Sequence, residues 1–173
     1  MILLGQILGL AAVATFLLSY QQKKRKQILV CNVVARILYI VQYILLSAFE
    51  GAVLDIVGTV SLLLAGKKEN AFIKKYQTAI FIGINLLIIG AGLALYEDIY
   101  SLFAIAGVLL QTGALWLNNE KVIRIVSLIG APCWFIYNFA NMAYGSAIGD
   151  LLTAVSIIIA IYRHDIRKSD LDK

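Results

Sequence analysis

The chain has 173 residues, 61% hydrophobic and only 14% charged, with a net charge of +5. Soluble domains carry roughly 25% charged residues, so the composition excludes an ordinary soluble globular protein and points to a membrane. With one proline and no Ser/Gly-rich linker, nothing marks off a separate soluble domain.

Apolar segments fall at about residues 2–20, 28–48, 52–66, 77–96, 99–117, 122–144 and 147–163. Each is read as a helix, and most approach the roughly 20 residues that cross the hydrocarbon at 1.5 Å per residue. The first lacks a basic leader and a small-residue cleavage site, so it reads as a spanning helix in preference to a removed signal peptide. The third is short for a span and draws its support from the repeat described below.

Charge gives the expected orientation. Lys23, Lys24, Arg25 and Lys26 follow the first segment, Lys67, Lys68, Lys74 and Lys75 the third, Lys121 and Arg124 the fifth, and Arg163, Arg167, Lys168 and Lys173 the seventh. These are 14 of the 15 Lys and Arg, all on one side, whereas the opposite loops carry Glu50, Glu97 and Asp98. The positive-inside rule then places the amino terminus outside and the carboxyl terminus in the cytoplasm. Basic residues in short juxtamembrane loops suit anionic lipids, and without a stacking platform they do not suit nucleic acid.

A shift of 95 residues lays 130–160 over 35–65, with six identities among 31 positions: Ala48/Ala143, Ala52/Ala147, Asp55/Asp150, Val60/Val155, Ser61/Ser156 and Ala65/Ala160. The shift also aligns the hydrophobic edges, placing Tyr39 on Trp134 and Tyr43 on Asn138, which marks an internal repeat. The expected fold is an all-α integral membrane protein of seven transmembrane helices: two parallel three-helix bundles joined by a linker helix, 3-1-3. Its units are 1–66, then 67–98 with a cytoplasmic loop and the linker helix, then 99–173 with a short cytoplasmic tail.

Several residues within these helices could carry chemistry. On the second helix Asn32, Arg36, Tyr39 and Tyr43 share one face, and on the sixth Ser127, Ala131, Trp134, Asn138 and Asn141 form the matching stripe. Two such faces read either as a cavity lining with apolar walls and few polar groups or as helix packing through interhelical hydrogen bonds. Arg36 is the one basic residue outside the loops, about 13 Å deep when counted at 1.5 Å per residue from Gln27. It needs a solute, an internal acid or a snorkelling path to the interface. Asp55 and Asp150 each lie near the start of the third helix of a repeat. They read as residues that stabilise a helix amino terminus or as proton- or ion-coupling carboxylates. Pro132 lies inside the sixth helix and removes one backbone hydrogen bond, so a kink or hinge is expected there.

Cys31 and Cys133 lie in apolar runs without metal-ligand or disulfide spacing. No HExxH, GxSxG or phosphate-binding glycine loop occurs, so neither an enzyme, a cofactor nor a metal is expected.

The stretch Pro132-Cys-Trp134-Phe-Ile-Tyr-Asn138-Phe, the following Ser146-Ala-Ile-Gly and the ending Ile-Tyr162-Arg163 resemble bacterial inner-membrane proteins of the YgjV type. That family looks distantly similar to the SWEET and PQ-loop transporters, in which two three-helix bundles flank a linker helix. The resemblance implies the bacterial cytoplasmic membrane and a midplane pocket, with Trp134 stacking on solute and Pro132 at the sixth-helix hinge. The expected function is a transporter or facilitator for a small polar solute, lined by Arg36, Tyr39, Tyr43, Trp134, Asn138 and Asn141. The alternative is a non-transporting membrane protein that acts through protein partners, as an assembly factor or sensor.

Overall fold

A computed structural model describes residues 2–19, 25–117 and 119–163. Lys23, Lys24, Arg167, Lys168 and Lys173 therefore lie outside the described residues. Those described form eight helices: α1 (Ile2–Ser19), α2 (Arg25–Leu45), α3 (Phe49–Ala65), α4 (Ala71–Lys75), α5 (Gln77–Ala94), α6 (Ile99–Trp116), α7 (Glu120–Ala140) and α8 (Tyr144–Ile161). Helices α5 to α8 each contain a stretch long and apolar enough to cross a bilayer, while α1 and the Val30–Leu45 part of α2 are apolar but shorter. Seven helices coincide with the seven apolar segments. The extra one, α4, is a single turn in the loop after α3, too short and too basic to appear in a hydropathy pattern.

The starts of α4, α6 and α7 are capped by side chains. Asn70 Oδ1 accepts from the Phe72 N–H at 3.0 Å, Asp98 Oδ1 from Tyr100 at 2.8 Å, and Asn119 Oδ1 from Lys121 and Val122 at 3.0 and 3.3 Å. At α6 the cap is reciprocal, because Ser101 Oγ accepts from the Asp98 N–H in return. Helices α3 and α8 instead start at Ala48 and Ala143, with no side-chain cap.

The turns that lead into those two helices are copies of one another at the 95-residue offset. Ser47 and Met142 both have positive φ, 61° and 56°, and they are the non-glycine residues that do so among those described. Ala48 N–H donates to the Tyr43 carbonyl at 2.9 Å and Ser47 N–H to Ile44 at 3.2 Å; Ala143 donates to Asn138 at 2.8 Å and Met142 to Phe139 at 3.2 Å. Each is a Schellman motif, in which one left-handed residue lets two carbonyls at the helix end be satisfied. The second turn corrects the expected helix edges, since the sixth helix stops at Ala140 rather than 144 and the seventh begins at Tyr144 rather than 147.

Packing follows the same exchange. In the first half α2 lies against both α1 and α3, and in the second α7 lies against both α6 and α8. Between halves, α1 packs on α8 and α3 on α6, contacts that swap into one another when the halves are exchanged. At the first of these, a Cβ placed on Gly145 would stand 2.9 to 3.0 Å from backbone atoms of Gln6, Gly9 and Leu10, so the α1 and α8 backbones meet directly. Helix α5 packs on α3 and α6 through a narrow strip of Ile84, Ile88 and Gly92, and exposes Leu86, Leu87 and Leu93. Large apolar side chains face outward on every long helix, as a hydrocarbon surround favours.

Candidate functional site

The polar stripes of α2 and α7 meet near the carboxyl ends of the two helices. The Tyr43 hydroxyl donates to Asn138 Oδ1 at 2.8 Å, and Asn138 Nδ2 donates to Asp150 Oδ2 at 2.7 Å. A carboxylate only accepts, which fixes the amide nitrogen of Asn138 toward Asp150 and its oxygen toward the phenol. Tyr43 and Asn138 are 3% and 2% exposed, so the phenol and the Asn138 amide oxygen satisfy one another away from water. They are also equivalent positions, 95 residues apart. Equivalent residues can touch only beside the axis that relates the two halves, so this contact marks that axis.

Aromatic rings close around the pair. Trp134 stacks on Tyr43 with centroids 6.4 Å apart and planes 18° apart, and Tyr137 stands edge-on to both at 6.3 and 6.0 Å. Such offset and edge-on arrangements suit the ring quadrupoles. Trp134 is seated over Gly107 of α6, where a Cβ would come within 2.9 Å of its indole.

On the α3 side, Arg36 Nη1 pairs with Asp55 Oδ1. Asp55 is the seventh residue of α3 and Asp150 the seventh of α8. Both lie two turns inside their helices, which corrects the helix-terminus reading: the caps are Ala48 and Ala143, and the first-turn acid of α3 is Glu50. Arg36, likewise, meets an internal acid and does not snorkel. Two atoms of the cluster remain buried without a hydrogen-bond partner: Asp55 Oδ2, an acceptor, and Trp134 Nε1, a donor. Buried orphan polar atoms are uncommon, because each loses its hydration without compensation.

Of the other expected site residues, Tyr39 sits one turn before Tyr43 and presents its hydroxyl to Gly149 of α8, where a Cβ would lie 3.0 Å from it. Asn141 does not join the cluster. It is the carboxyl-terminal cap of α7, and its amide donates to the Tyr137 carbonyl at 3.1 Å. Pro132 is exposed on the outer face of α7, which continues as helix through it.

Three contacts around the cluster escaped the sequence reading. Ser146 Oγ donates to Gln42 Oε1, and the Gly51 N–H donates to the Tyr137 hydroxyl at 2.8 Å. These are one contact seen twice, because Gln42 and Tyr137 are 95 apart and so are Gly51 and Ser146. Gln6 accepts from the Gly145 N–H at 3.1 Å. The usable signal was the offset itself: Gln42, the one amide side chain between Asn32 and Ala65, aligns with a tyrosine.

Chemically, the arrangement offers aromatic faces, the unpartnered donor Trp134 Nε1 and acceptor Asp55 Oδ2, with Gln42 Nε2 and Glu50 Oε1 also unpartnered nearby, and two carboxylates within electrostatic reach of each other and of Tyr43. Among the described residues no cluster of three His, Cys, Asp or Glu side chains is placed to hold a metal ion. No curated protein and no solved structure matches the chain. The family model of bacterial inner membrane proteins of the Imp-YgjV type matches residues 3–168, nearly the full length, and the chain belongs to that family.

Proposed function

We propose that the protein is a secondary carrier or facilitator for a small polar solute. Seven spanning helices form two parallel repeats, α1–α3 and α6–α8, joined by α5, with the amino terminus outside and the carboxyl terminus in the cytoplasm. Solute binds at the repeat axis among Arg36, Tyr39, Tyr43, Trp134 and Asn138. The observation that carries the reading is the hydrogen bond between the equivalent residues Tyr43 and Asn138, flanked by the orphaned Trp134 Nε1 and Asp55 Oδ2. Transport by rocking needs two similar halves and a site between them, and a site needs a few polar groups against apolar walls. Kinship to SWEET carriers is part of this proposal and not its support, which comes from the repeat.

The test is thermal unfolding of the purified protein with a panel of sugars, amino acids, nucleosides and organic acids. A ligand bound only by the folded state stabilises it by about 2.7 kcal/mol at a hundredfold excess over its Kd. Trp134→Phe, which keeps the ring and deletes the unpartnered N–H, is expected to weaken that shift for a solute that accepts from Nε1. A shift of undiminished size in this variant removes Trp134 Nε1 from the site.

The second reading is a membrane protein that acts through protein partners. It is favoured by α5, whose outer face is apolar and carries Gly83 and Gly90 with open space beside them. A stable complex seen by crosslinking from α5, with no solute shift in the panel, is the result that selects it.

A further inference from the structure

The two carboxylates occupy equivalent places and are treated unequally. Asp55 is balanced by the guanidinium of Arg36. The position equivalent to Arg36 in the second half is Ala131, so the chain supplies Asp150 with no such counter-charge. Arg36 and Asp55 form an ion pair, whereas the hydrogen bond reaching Asp150 is a neutral one from Asn138.

The groups facing Asp150 do not change this balance. Helix α1 has no ionisable side chain, α2 contributes Tyr39, Tyr43 and the engaged Arg36, α3 contributes Asp55, and on α7 the Tyr137 hydroxyl is turned to Gly51. Asp150 is half-buried, whereas Asp55 is 5% exposed. A carboxylate at membrane depth with no built-in cation is costly unless a cation reaches it from solution.

The geometry points to Asp150 as the binding site for one exchangeable monovalent cation, a proton or a sodium ion, with Asp55 as the same site permanently filled by Arg36. Any coupling of this cation to solute movement rests on the carrier reading. Cation binding itself rests only on charge balance, so it is testable without a solute.

The experiment is thermal unfolding of the full chain in detergent, from about pH 5.5 to 8.5, in sodium chloride and in choline chloride at equal ionic strength. A proton bound only in the folded state makes stability fall as pH rises, in both salts. Sodium makes it higher in sodium chloride at fixed pH. Either effect is expected at about 3 °C per tenfold change in cation activity. Asp150→Asn removes the charge and retains an acceptor for Asn138, so its unfolding temperature should be flat across the series. Asp55→Asn should unfold earlier, with Arg36 left unpaired, yet keep the wild-type dependence.

A flat wild-type series in both salts overturns the proposal, as does a dependence that survives in Asp150→Asn or vanishes in Asp55→Asn. Since no solute is present, failure here leaves the carrier reading to its own panel.

Discussion

Arg36 and Asp55 show how one residue position can set the character of a whole half of the molecule. An arginine inside an apolar helix is tolerated because Asp55 meets it, and Gly58, one turn beyond, leaves room for Nη1 at 3.0 Å from where a Cβ would stand. Removing one partner of a buried pair leaves an uncompensated charge, which costs about 3 kcal/mol or more, whereas removing both leaves none. Arg36→Gln and Asp55→Asn should therefore each destabilise the protein by about 3 kcal/mol, and the double variant by clearly less than their sum. Thermal unfolding of the four proteins in one detergent measures the coupling, and strictly additive losses would show that the pair is not a unit. From sequence Arg36 demanded a partner, but the partner's identity was not legible. It depends on the side-by-side placement of α2 and α3, which the spacing of residues within one helix does not encode.

At the scale of the element, the informative pieces are the two Schellman turns. A left-handed residue usually announces itself as glycine or asparagine, since other side chains pay roughly 1–2 kcal/mol there. Here the positions are Ser47 and Met142. Met142 sits among apolar residues, so the hydropathy pattern ran on across the break and the sixth helix was read about four residues too long. The first turn, marked by Ser47 and Glu50 in an otherwise apolar stretch, was placed more closely. The 95-residue offset was legible because turns and helix lengths are held in register along the chain, and it found Tyr43 and Asn138. Contacts such as Gln42 with Ser146 were not, because they join different helices at different heights. Ser47→Gly and Met142→Gly should each raise stability by about 0.5–1 kcal/mol, the relief of left-handed strain less the extra freedom of glycine in the unfolded chain. An unchanged or lowered unfolding temperature in both would mean that the Ser47 and Met142 side chains stabilise the fold by more than the strain they carry.

For the whole molecule, the distribution of contacts between halves predicts which side is shut. At the end that holds the two turns, Gln6 with Gly145 ties α1 to α8, and the equivalent bonds of Gln42 with Ser146 and Tyr137 with Gly51 tie α2 to α8 and α7 to α3. At the opposite end the tie is one-sided. Trp116 Nε1 donates to Ser61 Oγ at 3.1 Å and Lys68 Nζ to the Leu117 carbonyl at 3.3 Å, which holds α3 to α6. Ser156, the counterpart of Ser61, is exposed and bonds the Leu152 carbonyl of its own helix at 2.8 Å. In the orientation proposed above, which puts the basic loops of that second end in the cytoplasm, this conformation is closed outward and least secured on the inner side between α1 and α8. Each latch hydrogen bond contributes about 1 kcal/mol; losing both Gln42–Ser146 and Tyr137–Gly51 should shift the closed-to-open equilibrium about thirtyfold. A reporter thiol at Ala131→Cys, in a chain with Cys31→Ser and Cys133→Ser, reads this directly. It should react with an impermeant maleimide from the cytoplasmic face only, and become reactive from outside once Gln42→Ala and Tyr137→Phe are added. Outside reactivity without those two changes would overturn the closed-outward assignment. Silence from both faces in every variant would describe a dry bundle, and would shift the balance to a protein that acts through partners.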